Sequence, residues 1–172
     1  MSTHEPIVPK AQRIEGFLDV MDLNVSEIGD GEIALPREYL AYFVCFNRGE
    51  YYEAHDVLEH LWLRETGADA HFYKSLIQLA GAFVHLRKQH LRPDHPKDGR
   101  RLRPALRLFH LALSNLPRNV EVYHYLDLGL VRQLCNLYAG AIESANFAIN
   151  PWHPDALPQL DLLLPNPSRN RA

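Results

Sequence analysis

The chain has 172 residues, enough to bury one core and too few for two comfortable ones. Its composition, 47% hydrophobic and 23% charged, is that of a globular protein and excludes a disordered or fibrous chain. The net charge of -3 supplies no global field toward nucleic acid or membrane, and no run approaches the ~18–20 apolar residues of a membrane span.

Residues 1–10 hold Pro6 and Pro9 without periodicity and read as a loose arm. The opening Met-Ser-Thr-His-Glu-Pro has neither the basic nor the apolar part of a secretory leader, so a cytoplasmic protein is expected. Ile14, Phe17, Leu18 and Met21 recur at helical spacing and predict a short amphipathic helix. Asn24 to Leu35, with Gly29 and Gly31, reads as a connector, which makes 1–35 an N-terminal arm with one helix. Pro36 then suits the first turn of a helix carrying Tyr39, Leu40, Phe43 and Phe46 on one stripe. Asn47-Arg48-Gly49 stops it, with Gly49 as the left-handed residue of the turn.

A second helix restarts at about Tyr51 and runs to Arg64, apolar at Tyr51, Ala54, Leu58, Leu61 and Trp62. The third, about Ala70 to His90, is apolar over more than half its circumference and is therefore expected at the centre. Asp94 to Gly99 makes a loop. A fourth helix from about Arg100 to Leu116 points Leu102, Ala105, Leu106, Phe109 and Leu113 inward, with Pro104 tolerated near its start. The last, from Tyr123 or Asp127 to Ala148, is expected to turn Leu130, Leu134, Leu137 and Ala141 inward. No stretch shows a useful β alternation. The expected fold is all-α: a compact bundle of about five to six helices over 36–150, followed by an extended, proline-rich tail over 151–172.

Charge is unevenly spread. Every ionic side chain from Glu15 to Glu32 is acidic, whereas Arg87 to Arg107 holds eight cations against Asp94 and Asp98. Two solvated faces explain this, as do self-complementary packing, which leaves a homo-oligomer open, and an anionic ligand. Cys45 and Cys135 stand alone in apolar stretches and read as reduced, buried side chains.

The run Phe46-Asn47-Arg48-Gly49-Glu50-Tyr51-Tyr52-Glu53-Ala54-His55-Asp56-Val57-Leu58-Glu59-His60-Leu61-Trp62 resembles the signature of a bacterial and archaeal family known as domain of unknown function 309. The likeness continues through Leu76-Ile77-Gln78-Leu79-Ala80, His85 and the helix start Gly99 to Arg103, and covers about Tyr39 to Leu116. Asp56 departs from the glutamate usual in that signature. The resemblance implies a compact helical bundle and no particular activity.

Within the motif, His55 and Glu59 sit on adjacent turns of one helix beside Trp62. Gln78 and His85 share a stripe of the central helix, with the small Gly81 and Ala82 between them. Facing stripes would bring His55, Glu59, Gln78 and His85 into one half-buried polar pocket walled by Trp62. Four readings compete for that pocket. It is a hydrogen-bonded network that fixes helix register; or His55, Glu59 and His85 hold a divalent transition metal such as zinc, iron or manganese. It is an acid–base site without metal; or it is incidental to a protein-interaction scaffold, since Gly49 to Ala54 resembles the turn of a tetratricopeptide repeat. Nothing recurs at the period of about 34 residues that a repeat array needs, so only a lone helical hairpin fits the last. The arginine stripe Arg100, Arg103 and Arg107 reads as a solvated face; the absence of an aromatic among the arginines argues against RNA. Trp62 reads as core, and His95, His110, His124 and His153 have no visible geometry.

Overall fold

The computed structural model describes residues 8–21, 23 and 35–164. The greater part of the expected arm and connector (1–7 and 24–34) and the last part of the tail (165–172) lie outside the described residues. Among the described residues six α-helices form the body: α1 (Lys10–Val20), α2 (Arg37–Asn47), α3 (Tyr51–Trp62), α4 (Ala70–Leu91), α5 (Leu102–Asn115) and α6 (Leu128–Ser144). Among the described residues no helix is long and apolar enough to cross a membrane.

The α2–α3 hairpin is set by its turn. The Gly49 N–H bonds the Phe46 carbonyl at 2.9 Å and the Glu50 N–H reaches back to Cys45 at 2.9 Å, which closes the last carbonyls of α2. That geometry needs a left-handed residue, and Gly49 supplies it at φ 75°. Helix α2 buries Tyr39, Ala41, Tyr42, Phe43, Cys45 and Phe46, so it is covered on several sides. Helix α4 is central, as its apolar circumference requires. The Phe83 ring meets Phe46 of α2, Tyr51 of α3, Phe109 of α5 and Tyr138 of α6 with centroids 4.8–5.4 Å apart. One aromatic ring thus joins four elements, mostly edge-to-face as ring quadrupoles prefer.

A 3-10 turn at Asp98–Arg100 leads into α5. Buried Asp98 is held there by the Arg101 guanidinium at 2.6 Å. Pro104 is the third residue of α5, where no helical N–H bond is lost. Two differences from the sequence reading follow. Between α5 and α6 lies a small antiparallel hairpin, β1 (Val122–Tyr123) and β2 (Leu126–Asp127), too short for alternation to reveal. Helix α6 then starts at Leu128 and buries Leu128, Val131, Cys135, Tyr138, Ala139 and Ile142. Leu130 and Leu137, expected inward, are 50% and 67% exposed. The helix carries two apolar stripes, and the core takes the one with Tyr138, whose ring packs on Phe83 and Phe109.

After α6 the chain at 151–164 forms no helix and lies across the α2–α3 turn. Trp152 and Leu160 are buried, and Leu157 sits where a Cβ on Gly49 would point. The Trp152 indole N–H donates to Tyr51 Oη at 3.0 Å, while the Asn47 side chain bonds both the N–H and the carbonyl of Leu160 at 2.8 and 3.0 Å.

Candidate functional site

Helix α3 turns His55, Asp56 and Glu59 through one arc of its surface, since positions i, i+1 and i+4 span about 100°. One ligand atom from each of the three lies within 4.8 Å of the others. All three are half-buried. His55 Nδ1 is 3.2 Å from Asp56 Oδ1, and the far edge of its ring lies against Gly81 of α4. A Cβ at position 81 would stand 3.2 Å from Leu108 of α5 but only in ordinary contact, 3.8 Å, with the His55 ring, so the glycine makes room chiefly for α5.

A cation already stands in front of the two carboxylates. Lys10, the first residue of α1, places its Nζ 2.6 Å from Glu59 Oε2 and 3.0 Å from Asp56 Oδ1. Partial burial opposes the ammonium charge, yet the hydrogen bonds to Glu59 and Asp56 outweigh it and raise the Lys10 pKa above the usual lysine value.

The expected pocket residues part company here. His55 and Glu59 come together, and Asp56 joins them. Gln78 is spent elsewhere: its Oε1 accepts from Asn115 Nδ2 of α5 at 2.8 Å. His85 is not among the ligand atoms that gather with His55 and Glu59. Its Nδ1 is buried without a partner, and burial, then Arg101, Lys88 and Arg107, push its pKa down to about 4. Trp62 is partly buried against the core at the end of α3.

Residues 39–93 match the family model described as domain of unknown function (DUF309).

That match covers about a third of the chain, from α2 through α4, and includes the Gly49 turn, His55, Asp56, Glu59, Gln78 and His85. It stops at Pro93, short of the Gly99–Arg103 helix start and far from Lys10. The DUF309 description carries no activity. No curated protein and no solved structure matches the chain.

A second group with ligand-like atoms is Glu15, Glu38 and His60. Here Arg37 bonds Glu15, Arg64 bonds buried Glu38, and His60 Nε2 lies 2.8 Å from Glu15 Oε1. The His60 hydrogen bond, against a small effect of burial and with Arg37 in support, holds the Glu15 carboxyl below its usual range. Its oxygens already face guanidinium and imidazole, so the group is an ion-pair network that ties α1 and α2 to α3.

Sequence reading assigned nothing to His124, yet it sits in an aromatic nest of Tyr39, Phe72, Tyr73 and Tyr123. Its Nε2 is 2.9 Å from Asp69 Oδ2, and Tyr123 Oη donates to Asp69 Oδ1 at 2.6 Å. Burial acts against the Asp69 charge, but the Tyr123 hydrogen bond and the nearby His124 ring prevail and lower its pKa. His124 and Tyr125 form the hairpin turn with φ of 46° and 61°, a left-handed pair that usually takes Asn-Gly. No sequence signal links residues 55 positions apart; only the fold brings Asp69 and His124 together. This constellation pins the hairpin to the start of α4.

Proposed function

We propose that α3 binds a divalent transition metal through His55, Asp56 and Glu59, displacing the Lys10 ammonium. The observation that carries this reading is the gathering of three donor groups within 4.8 Å of one another, two of which already face a positive charge. An imidazole with two carboxylates suits zinc, iron or manganese, and Lys10 offsets one of the two negative charges when metal is absent. A divalent ion in place of the ammonium would balance both carboxylate charges, where Lys10 balances only one. This reading keeps His55 and Glu59 from the expected metal set and puts Asp56 in the place of His85. A cytoplasmic setting accords with it, since Cys45 and Cys135 are free and buried, with both thiols pushed up to about 12.

Titration calorimetry with zinc tests it. The wild type is expected to bind stoichiometrically, and His55→Ala and Glu59→Gln to lose the binding while keeping a helical far-ultraviolet spectrum. Lys10→Met removes the competitor and is expected to tighten binding, by about two- to thirtyfold if each of its two ion pairs is worth about 0.2–1 kcal/mol. Absence of binding in both the wild type and Lys10→Met ends the metal reading. A scaffold reading would then stand, favoured by the exposed Leu130 and Leu137 on the outer face of α6.

A further inference from the structure

The ionic inventory of the fold is lopsided. Glu15 and Asp19 are engaged by Arg37, Glu38 by Arg64, Asp56 and Glu59 by Lys10, and Asp98 by Arg101. Among the described residues no carboxylate lies within ion-pair distance of Arg100, Arg103 or Arg107. These three follow one another turn by turn along one exposed side of the 3-10 turn and α5, over about 10 Å of helix rise. Three guanidiniums without counter-charges on one face form a locally positive strip on a chain of net charge -3.

An aromatic ring completes the strip, from 40 residues beyond where the sequence placed the arginines. The Arg103 Cζ lies over the Phe147 ring, 4.1 Å from its centroid. Two cavities of about 260 and 430 Å³ adjoin this pair and share it, one reaching Arg100 and the other Arg107 and His110. Leu106 and the exposed Leu111 give the second an apolar floor. His110 of that lining has Glu143 3.8 Å away. Phe147 reaches this position because α6 ends with the Phe147 N–H bonded to Ile142 at 3.0 Å and the Asn146 N–H bonded to Glu143 at 2.9 Å. Asn146 and Phe147 both adopt left-handed φ, at 48° and 61°. A bulky residue in that region is strained, and the strain here delivers an aromatic ring to an arginine.

We infer that this cleft binds single-stranded nucleic acid, with backbone phosphates on Arg100, Arg103 and Arg107 and a base stacked at the Arg103–Phe147 pair. Guanidiniums take phosphate oxygens in bidentate fashion and offer a flat face to a base, and an aromatic ring beside them is the usual partner for stacking. The chemistry asks for a chain of phosphates, because the arginines are strung along the helix and do not converge on one point. Stacking also favours unpaired bases over a duplex.

The test is fluorescence anisotropy of the full chain with labelled oligouridine over a range of salt. Wild-type binding is expected to weaken with salt at a log–log slope of about -2, as for three phosphates on a single strand. Arg103→Gln and Arg107→Gln are each expected to weaken binding and to lower the steepness of that slope by about 0.7. Phe147→Leu is expected to cost about tenfold in affinity with the salt slope unchanged. Both arginines are exposed, so their variants keep the fold whatever Phe147→Leu does, with thermal melting as the check. No salt-dependent binding by the wild type, or binding that both arginine variants leave untouched, overturns the inference. So does competition by inorganic polyphosphate equal to that of oligouridine together with an unaffected, folded Phe147→Leu.

Discussion

At Gly49 two constraints fall on one atom. The backbone is left-handed, φ 75°, and a Cβ there would stand 3.2 Å from Leu157 of the segment lying over the turn. Gly49→Val is therefore expected to destabilise the fold by about 1–2 kcal/mol, from the left-handed penalty alone. Chemical denaturation measures it, and an unchanged midpoint would mean that the turn relaxes freely. His85 makes a different kind of prediction. In the fold its pKa is pushed down to about 4, by burial first and then by Arg101, Lys88 and Arg107, from an ordinary value of 6.5. Between those values the unfolded chain takes up a proton that the folded chain refuses. Its stabilisation is thus complete above pH of about 6.5 and declines as pH falls toward about 4. Glu15, Asp69 and Asp98, whose pKa values are lowered, give up their share at lower pH, below the ordinary carboxylate range. His85→Gln is expected to flatten the upper window alone, read from unfolding free energies across it; a slope unchanged in the variant would place the titrating group elsewhere.

Elements differ in how their ends are fixed. Asp127 caps α6 by accepting the Gly129 and Leu130 N–H groups at 2.8 and 3.2 Å, the one side-chain cap among the described α-helices. Asp127→Ala is expected to cost about 1 kcal/mol, a loss of cap that a melting curve will show and Asp127→Asn will largely recover. Helix phases were legible where one stripe dominated. For α4 so many apolar residues surround the axis that a central position followed from the pattern. For α6 Leu130, Leu134 and Leu137 compete with Val131, Cys135 and Tyr138, and only packing against Phe83 and Phe109 decides between them. The hairpin at 122–127 was illegible because its turn residues, His124 and Tyr125, are not the residues that such turns favour.

Over the whole molecule, the helical architecture and the Gly49 turn could be read from periodicity and punctuation, and the site only in part. His55 and Glu59 share a helix, so their proximity is a matter of 3.6-residue spacing. Gln78 and His85 depended on which way a second helix faced, and Gln78 turned out to be bonded to Asn115. Lys10 and Phe147 come from distant segments and carry no local signal at all. The same long reach has a temporal side. Asn47 holds Leu160 across 113 positions of chain, and Trp152 meets Tyr51 across 101. Loop closure over such distances is entropically costly, and contacts of this range form slowly. A chain emerging residue by residue from the ribosome can fold α2 on α3 long before Trp152, Leu157 and Leu160 exist to cover that hairpin. The α2–α3 turn is therefore made early and roofed late, and in the interval its apolar surface faces water.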